Sequence, residues 1–118
     1  MINVDTIIGA TALLGNYSDE ELEKYMTLIN TAIEDVNSML KAESYWSESR
    51  VMYLAATKAN YDLAVAMMST DNVSEFTAGD VSIVQNTAFI EYSKSLVEEA
   101  LNKCATLIND NGFAFLGV

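Results

Sequence analysis

From Leu22 onward the chain places an apolar residue at every third or fourth position, through Tyr25, Met26, Ile29, Ile33 and Val36 to Leu40, while Glu23, Thr27, Asn30, Glu34 and Asn37 fall between them. That spacing follows the 3.6-residue turn of an α-helix and gathers the apolar set on one face. Proline, which interrupts such a pattern, occurs nowhere in the 118 residues. The sequence therefore predicts uninterrupted helices packed through apolar stripes. The first of these has a marked start: in Ser18-Asp-Glu-Glu21 a serine at the N-cap and a glutamate three residues on can satisfy each other's backbone donors. A helix from Ser18 to Leu40 would be about 35 Å long.

The same reading extends along the chain. Asp5 to Gly15 forms a short apolar helix, which Gly15 is expected to end in a left-handed cap. The link Lys41 to Trp46 leads to Ser47, a second candidate N-cap, and then to VMYLAATKANYDLAVAMM, where small or apolar residues lie almost all round. Such a helix belongs at the centre, with Lys58 and Asp62 pairing at i, i+4 on its one polar strip. The last long helix runs from Asn86 or Thr87 to Ile108, with Phe89, Leu96, Ala100, Cys104 and Leu107 on one face flanked by Ile90, Val97, Leu101 and Ile108. Lys94 with Glu98 and Glu99 with Lys103 are further i, i+4 pairs, and Asn109-Asp-Asn-Gly112 is a stop signal.

Between the last two helices, FTAGDVSIVQN alternates as neither neighbour does. Phe76, Ala78, Val81 and Ile83 about the Gly79-Asp80 pair fit two very short extended pieces around a turn, a small β-like arm over residues 73–85. An isolated ribbon is marginal in water, so the arm is expected to lie against something. The closing residues 112–118, where Phe113 and Phe115 alternate before Leu116, read as a possible extended tail. The expected fold is all-α: a single helical domain over 1–118 with three long helices, a short N-terminal one and the arm.

Composition narrows the function. Apolar residues make up 51% and charged ones 19%, below the roughly 25% charged of soluble domains, which leaves apolar surface for partners. A net charge of −11 argues against tight nucleic-acid binding, which needs clustered Lys and Arg. Without histidine, Ser-His-Asp and Cys-His catalysis are excluded, as is the commonest metal ligand. The lone Cys104 permits neither an internal disulfide nor a multi-cysteine zinc site, suits a reducing cytosol, and reads as a small buried apolar residue. Glu20-Glu21 and Glu98-Glu99 offer carboxylates, but adjacent helical residues point about 100° apart. Asp71 to Glu75 and Asn109 to Gly112 lack the order of a calcium loop. Gly79 lacks the glycine series and lysine of a phosphate cradle. MINVDTIIGATALLG carries no positive n-region and no span of roughly 20 apolar residues, so neither signal peptide nor membrane anchor is expected. No catalysis, cofactor or metal is expected.

The order of a short helix ending in Leu14-Gly15, an acid-capped helix from Ser18, a Tyr- and Ala-rich central helix, a Gly-Asp-Val-Ser insert at 79–82 and a final helix resembles the small head–tail connector (head-completion adaptor) proteins of tailed bacteriophages and prophages. ALLGNYSDEELEKYM, RVMYLAATKANYDLAVAM and FTAGDVSI carry the resemblance. It implies a structural subunit that forms a homo-oligomeric ring in the virion neck after synthesis in the host cytoplasm. The ring bridges portal and tail proteins around a channel through which DNA passes without specific binding. On that resemblance Phe76, Gly79, Asp80, Val81 and Ile83 of the arm and Phe113, Phe115 and Leu116 of the tail are expected at subunit interfaces. Two other readings are open: a bacterial helical adaptor or regulator binding one protein partner through its Met- and Tyr-rich surface, and an enzyme working through carboxylates.

Overall fold

A computed structural model describes residues 2–74 and 80–109 of the chain. It is a bundle of five α-helices, α1 (Val4–Gly15), α2 (Asp19–Lys24), α3 (Met26–Met39), α4 (Ser49–Ser74) and α5 (Asp80–Lys103), with a 3-10 turn at Glu43–Ser47. Among the described residues there is no strand, only an isolated antiparallel bridge between Leu40 and Ile108.

Asn3 starts α1, its side-chain oxygen accepting the Thr6 N–H at 3.1 Å. The helix ends one residue later than expected. Asn16, not Gly15, takes the left-handed conformation, at φ 54° and ψ 45°, and the Tyr17 N–H closes back on the Ala12 carbonyl at 3.1 Å. Asparagine tolerates positive φ better than any other non-glycine residue, which releases Gly15 for a different task. A Cβ at Gly15 would run into the Tyr17 ring and stand 2.7 Å from the Asn60 side-chain oxygen, so glycine is there for close approach.

The predicted cap at Ser18 forms in full: Ser18 Oγ accepts the Glu21 N–H at 3.2 Å and Glu21 Oε1 accepts the Ser18 N–H at 2.9 Å. The single helix expected over 18–40 is instead α2 and α3, joined at Tyr25, whose φ −107° and ψ 21° lie outside the helical well. The interruption is local, since the Tyr25 carbonyl still accepts from Leu28 and Ile29, and Tyr25 leans on the core with Lys24 Nζ 5.4 Å from its ring centre. The apolar stripe survives it: Leu22, Ile29, Ile33 and Val36 are all buried.

Beyond Met39 the link tightens into the 3-10 turn because Trp46 is drawn fully into the core, its Nε1–H donating to Asn37 Oδ1 at 2.8 Å. Ser47 does not cap α4 as expected. Its hydroxyl donates to the Ser44 carbonyl, and the Glu48 carbonyl accepts the first N–H groups of α4, from Val51 and Met52. Helix α4 does lie at the centre, packed by α1, α3, α5 and the 3-10 turn. Its alanines 55, 56 and 59 are buried without remainder, which is how several backbones approach one helix at once.

The β-like arm expected over 73–85 is not what forms. Residues 73 and 74 finish α4 and residues 80–85 open α5, so Asp80, Val81 and Ile83 are helical; Phe76 and Gly79 lie outside the described residues. Val81 and Ile83 step by two, but Val81, Val84 and Ala88 step by three and four, and so few positions cannot separate the two periods. Extending a neighbouring helix adds one hydrogen bond per residue, whereas a two-stranded ribbon must nucleate alone. The end of α5 is corrected as well. It stops at Lys103, ahead of the Asn109 to Gly112 stop signal, because Leu107 and Asn109 pair with the end of α3: Lys41 N–H to Leu107 O at 3.0 Å and Asn109 N–H to Met39 O at 2.9 Å. The terminal Lys103 carbonyl is taken up by Arg50 Nη1 at 3.1 Å. The buried ridge of α5 is Ser93, Val97 and Ala100, continued by Cys104 just past its end, with Phe89 and Leu96 of the expected face only half-buried. The tail residues Phe113, Phe115 and Leu116 lie outside the described residues. The whole measures 48 × 29 × 18 Å, a flattened slab.

Candidate functional site

Among the described residues four polar side chains are buried in the core: Thr11 and Thr57 bond to carbonyls of their own helices, while Asn60 and Ser93 belong to a junction between elements. Tyr17, just past the αL turn that ends α1, donates its hydroxyl to Asn60 Oδ1 of α4 at 2.8 Å, and Asn60 Nδ2 donates to Ser93 Oγ of α5 at 3.0 Å. Asn60 and Ser93 are fully buried. A buried amide without partners would be costly, so this chain of bonds admits only one register of α1, α4 and α5. Burial, seconded by the Glu21 carboxylate, pushes the Tyr17 phenol well above its ordinary value and keeps it neutral.

Beside the junction is a cavity of about 180 Å³ bordered by Gly15, Asn16, Glu21, Ala64, Met67 and Phe89. That is smaller than the roughly 300–1,000 Å³ of small-molecule pockets and suits a single side chain. Glu21 on its rim is already bound into the Ser18 cap.

A second polar group lies between α3 and α4. Lys58 Nζ sits 2.7 Å from Asp62 and 3.7 Å from Asp35, as the i, i+4 spacing predicted for the first pair. The strip is less open than expected, Lys58 and Asp62 being 12% and 19% exposed. Burial raises the Asp62 carboxyl above the usual carboxylate range and outweighs the Lys58 bonds that lower it.

The carboxylates weighed from sequence do not converge. Glu21 caps α2, while Glu98 and Glu99 are exposed and Glu99 reaches Lys103 at 3.6 Å. Cys104 is buried, its thiol donating to the Arg50 carbonyl at 3.3 Å; burial pushes the thiol up, the Arg50 charge opposing. Among the described residues no three acidic or thiol groups gather as a metal site would require, and no helix is long and apolar enough to cross a membrane. Of the predicted interface residues, Asp80, Val81 and Ile83 lie in the opening turns of α5; the others lie outside the described residues. Sequence reasoning passed over Tyr17, Asn60 and Ser93. The available signal was Asn60, the one amide in the run VMYLAATKANYDLAVAMM.

No family model, no curated protein and no solved structure matches the chain.

Proposed function

We propose that the chain is a ring-forming structural subunit of a bacteriophage head–tail connector, bridging portal and tail around the DNA channel in the virion neck. The supporting observation is the order of parts: a short helix closed by an αL turn, an acid-capped helix, and a central Tyr- and Ala-rich helix wrapped by α1, α3 and α5. These are parts of the order on which the resemblance to connector proteins rests; its Gly-Asp-Val-Ser insert at 79–82 is not among them, since Asp80 to Ser82 belong to α5. A slab 18 Å thick suits side-by-side packing, and the charge of −11 discourages DNA from sticking to a channel wall. The subunit contacts fall to the residues expected from the resemblance, Asp80, Val81 and Ile83 at the start of α5 and Phe76 and Gly79 ahead of it in sequence. Phe113, Phe115 and Leu116 of the tail form the second contact. The experiment is assembly itself: particle mass for the intact chain against a variant in which Phe76, Val81 and Ile83 become serine.

A second reading draws on the cavity. Its methionine and phenylalanine lining beside Tyr17 fits one side chain of a single protein partner, as a helical adaptor would need. A chain that stays monomeric and captures one cytosolic regulator would favour it.

A further inference from the structure

Three features meet at the cavity beside the Tyr17 junction. The first is the end of α1: Gly15 and Asn16 border the cavity, and the last turn of α1 carries no basic residue, so the negative end of its dipole is not offset within the helix. The second is Glu21 on the rim. Its cap bonds both run to Oε1, from the Ser18 N–H at 2.9 Å and the Ser18 hydroxyl at 3.2 Å. Among the described residues no hydrogen bond or ion pair takes Oε2, and Lys24, one turn on, lies 5.4 Å from the Tyr25 ring centre. The third is the wall, where Ala64, Met67 and Met68 of α4 face Phe89 of α5 across an apolar space that no lysine or arginine lines.

We propose that this cavity takes the side chain of a lysine from a partner protein, its alkyl stem against Met67, Met68 and Phe89 and its ammonium at the rim on Glu21 Oε2. A lysine has that division of labour built in, an apolar stem ending in a charge. Charge selects a cation over an apolar side chain: a carboxylate oxygen and a helix C-terminus border the same opening, on a chain of net charge −11. Geometry selects lysine over arginine. A guanidinium binds a carboxylate best through both oxygens, and the cap has already taken Oε1. An ammonium is a point charge that one open oxygen can hold, and Asn16 on the border offers an amide oxygen as a further acceptor. The volume of about 180 Å³ leaves no room for more of the partner than one side chain. The inference rests on the adaptor reading of the cavity, whose occupant it specifies; the ring reading does not depend on it.

The test is a titration of the full chain, isotopically labelled at its methionine methyl groups, with a blocked pentapeptide carrying lysine between two pairs of glycines and with the same peptide carrying norleucine. NMR shifts of the Met67 and Met68 methyls report occupancy, with Met67→Leu and Met68→Leu identifying the signals. The lysine peptide is expected to bind about fivefold more tightly than the norleucine peptide at low salt, the measure of a partly exposed ion pair. Glu21→Gln removes the charge but keeps the cap, since glutamine also serves at that position, and should abolish the preference, as should salt at about 0.5 M. Circular dichroism confirms that the variant keeps its helices. Equal affinities for the two peptides overturn the lysine assignment while leaving the adaptor reading an apolar occupant, and a preference that survives Glu21→Gln overturns it as well. No saturable shift with either peptide overturns the inference and the adaptor reading's use of the cavity together.

Discussion

Gly15 shows how a residue can be indispensable for a reason other than the one its type suggests. Glycine near a helix end reads as a left-handed cap, yet Asn16 has that role and Gly15 lets Tyr17 fold back against Asn60. An alanine inside a helix ordinarily stabilises by about 0.5–1 kcal/mol relative to glycine. Here the sign is expected to reverse: Gly15→Ala should lower the denaturation midpoint, because the added methyl displaces the Tyr17 ring from its bond to Asn60. The same junction makes an alkaline prediction. With the Tyr17 phenol raised above 10 by burial, the folded chain holds that proton where the unfolded chain gives it up. The stabilisation is complete below pH about 10 and drains away as pH climbs through the folded value. Tyr17→Phe should therefore flatten the fall in stability above pH 10 seen in urea melts, while leaving the profile below it parallel to the wild type. The junction was only faintly legible beforehand. Asn60 was passed over, and its partners lie 43 and 33 residues away in sequence, with no local period to join them.

Elements were legible wherever one face is apolar for several turns. The stripe from Leu22 to Leu40, the central position of α4 and the Ser18 cap all form as local physical chemistry dictates. Ser18→Ala should cost about 1 kcal/mol, the usual loss when an N-cap oxygen is removed, read as a shift of the urea midpoint at unchanged slope. What sequence missed were boundaries that tertiary contacts set. The break at Tyr25 belongs to a side chain leaning on the core, and the early end of α5 to backbone pairing with α3 from seventy residues before. The alternation over Val81 and Ile83 was true as a pattern but too short to oppose the helix beginning at Asp80.

At the scale of the whole molecule, the all-α bundle followed from the absence of proline and the helical spacing, while the surfaces that meet partners did not. Five of the eight expected interface residues, Phe76, Gly79, Phe113, Phe115 and Leu116, lie outside the described residues, and α1 leaves Leu13 exposed while its other face packs on α4. Ring formation is most directly tested by particle mass from light scattering across a wide concentration range, on the intact chain and on the Phe76→Ser, Val81→Ser, Ile83→Ser variant. A connector subunit should climb from the 12.9 kDa chain to a particle of many copies, and the variant should not. A mass that stops at one or two chains at every concentration, the same for both proteins, would contradict it.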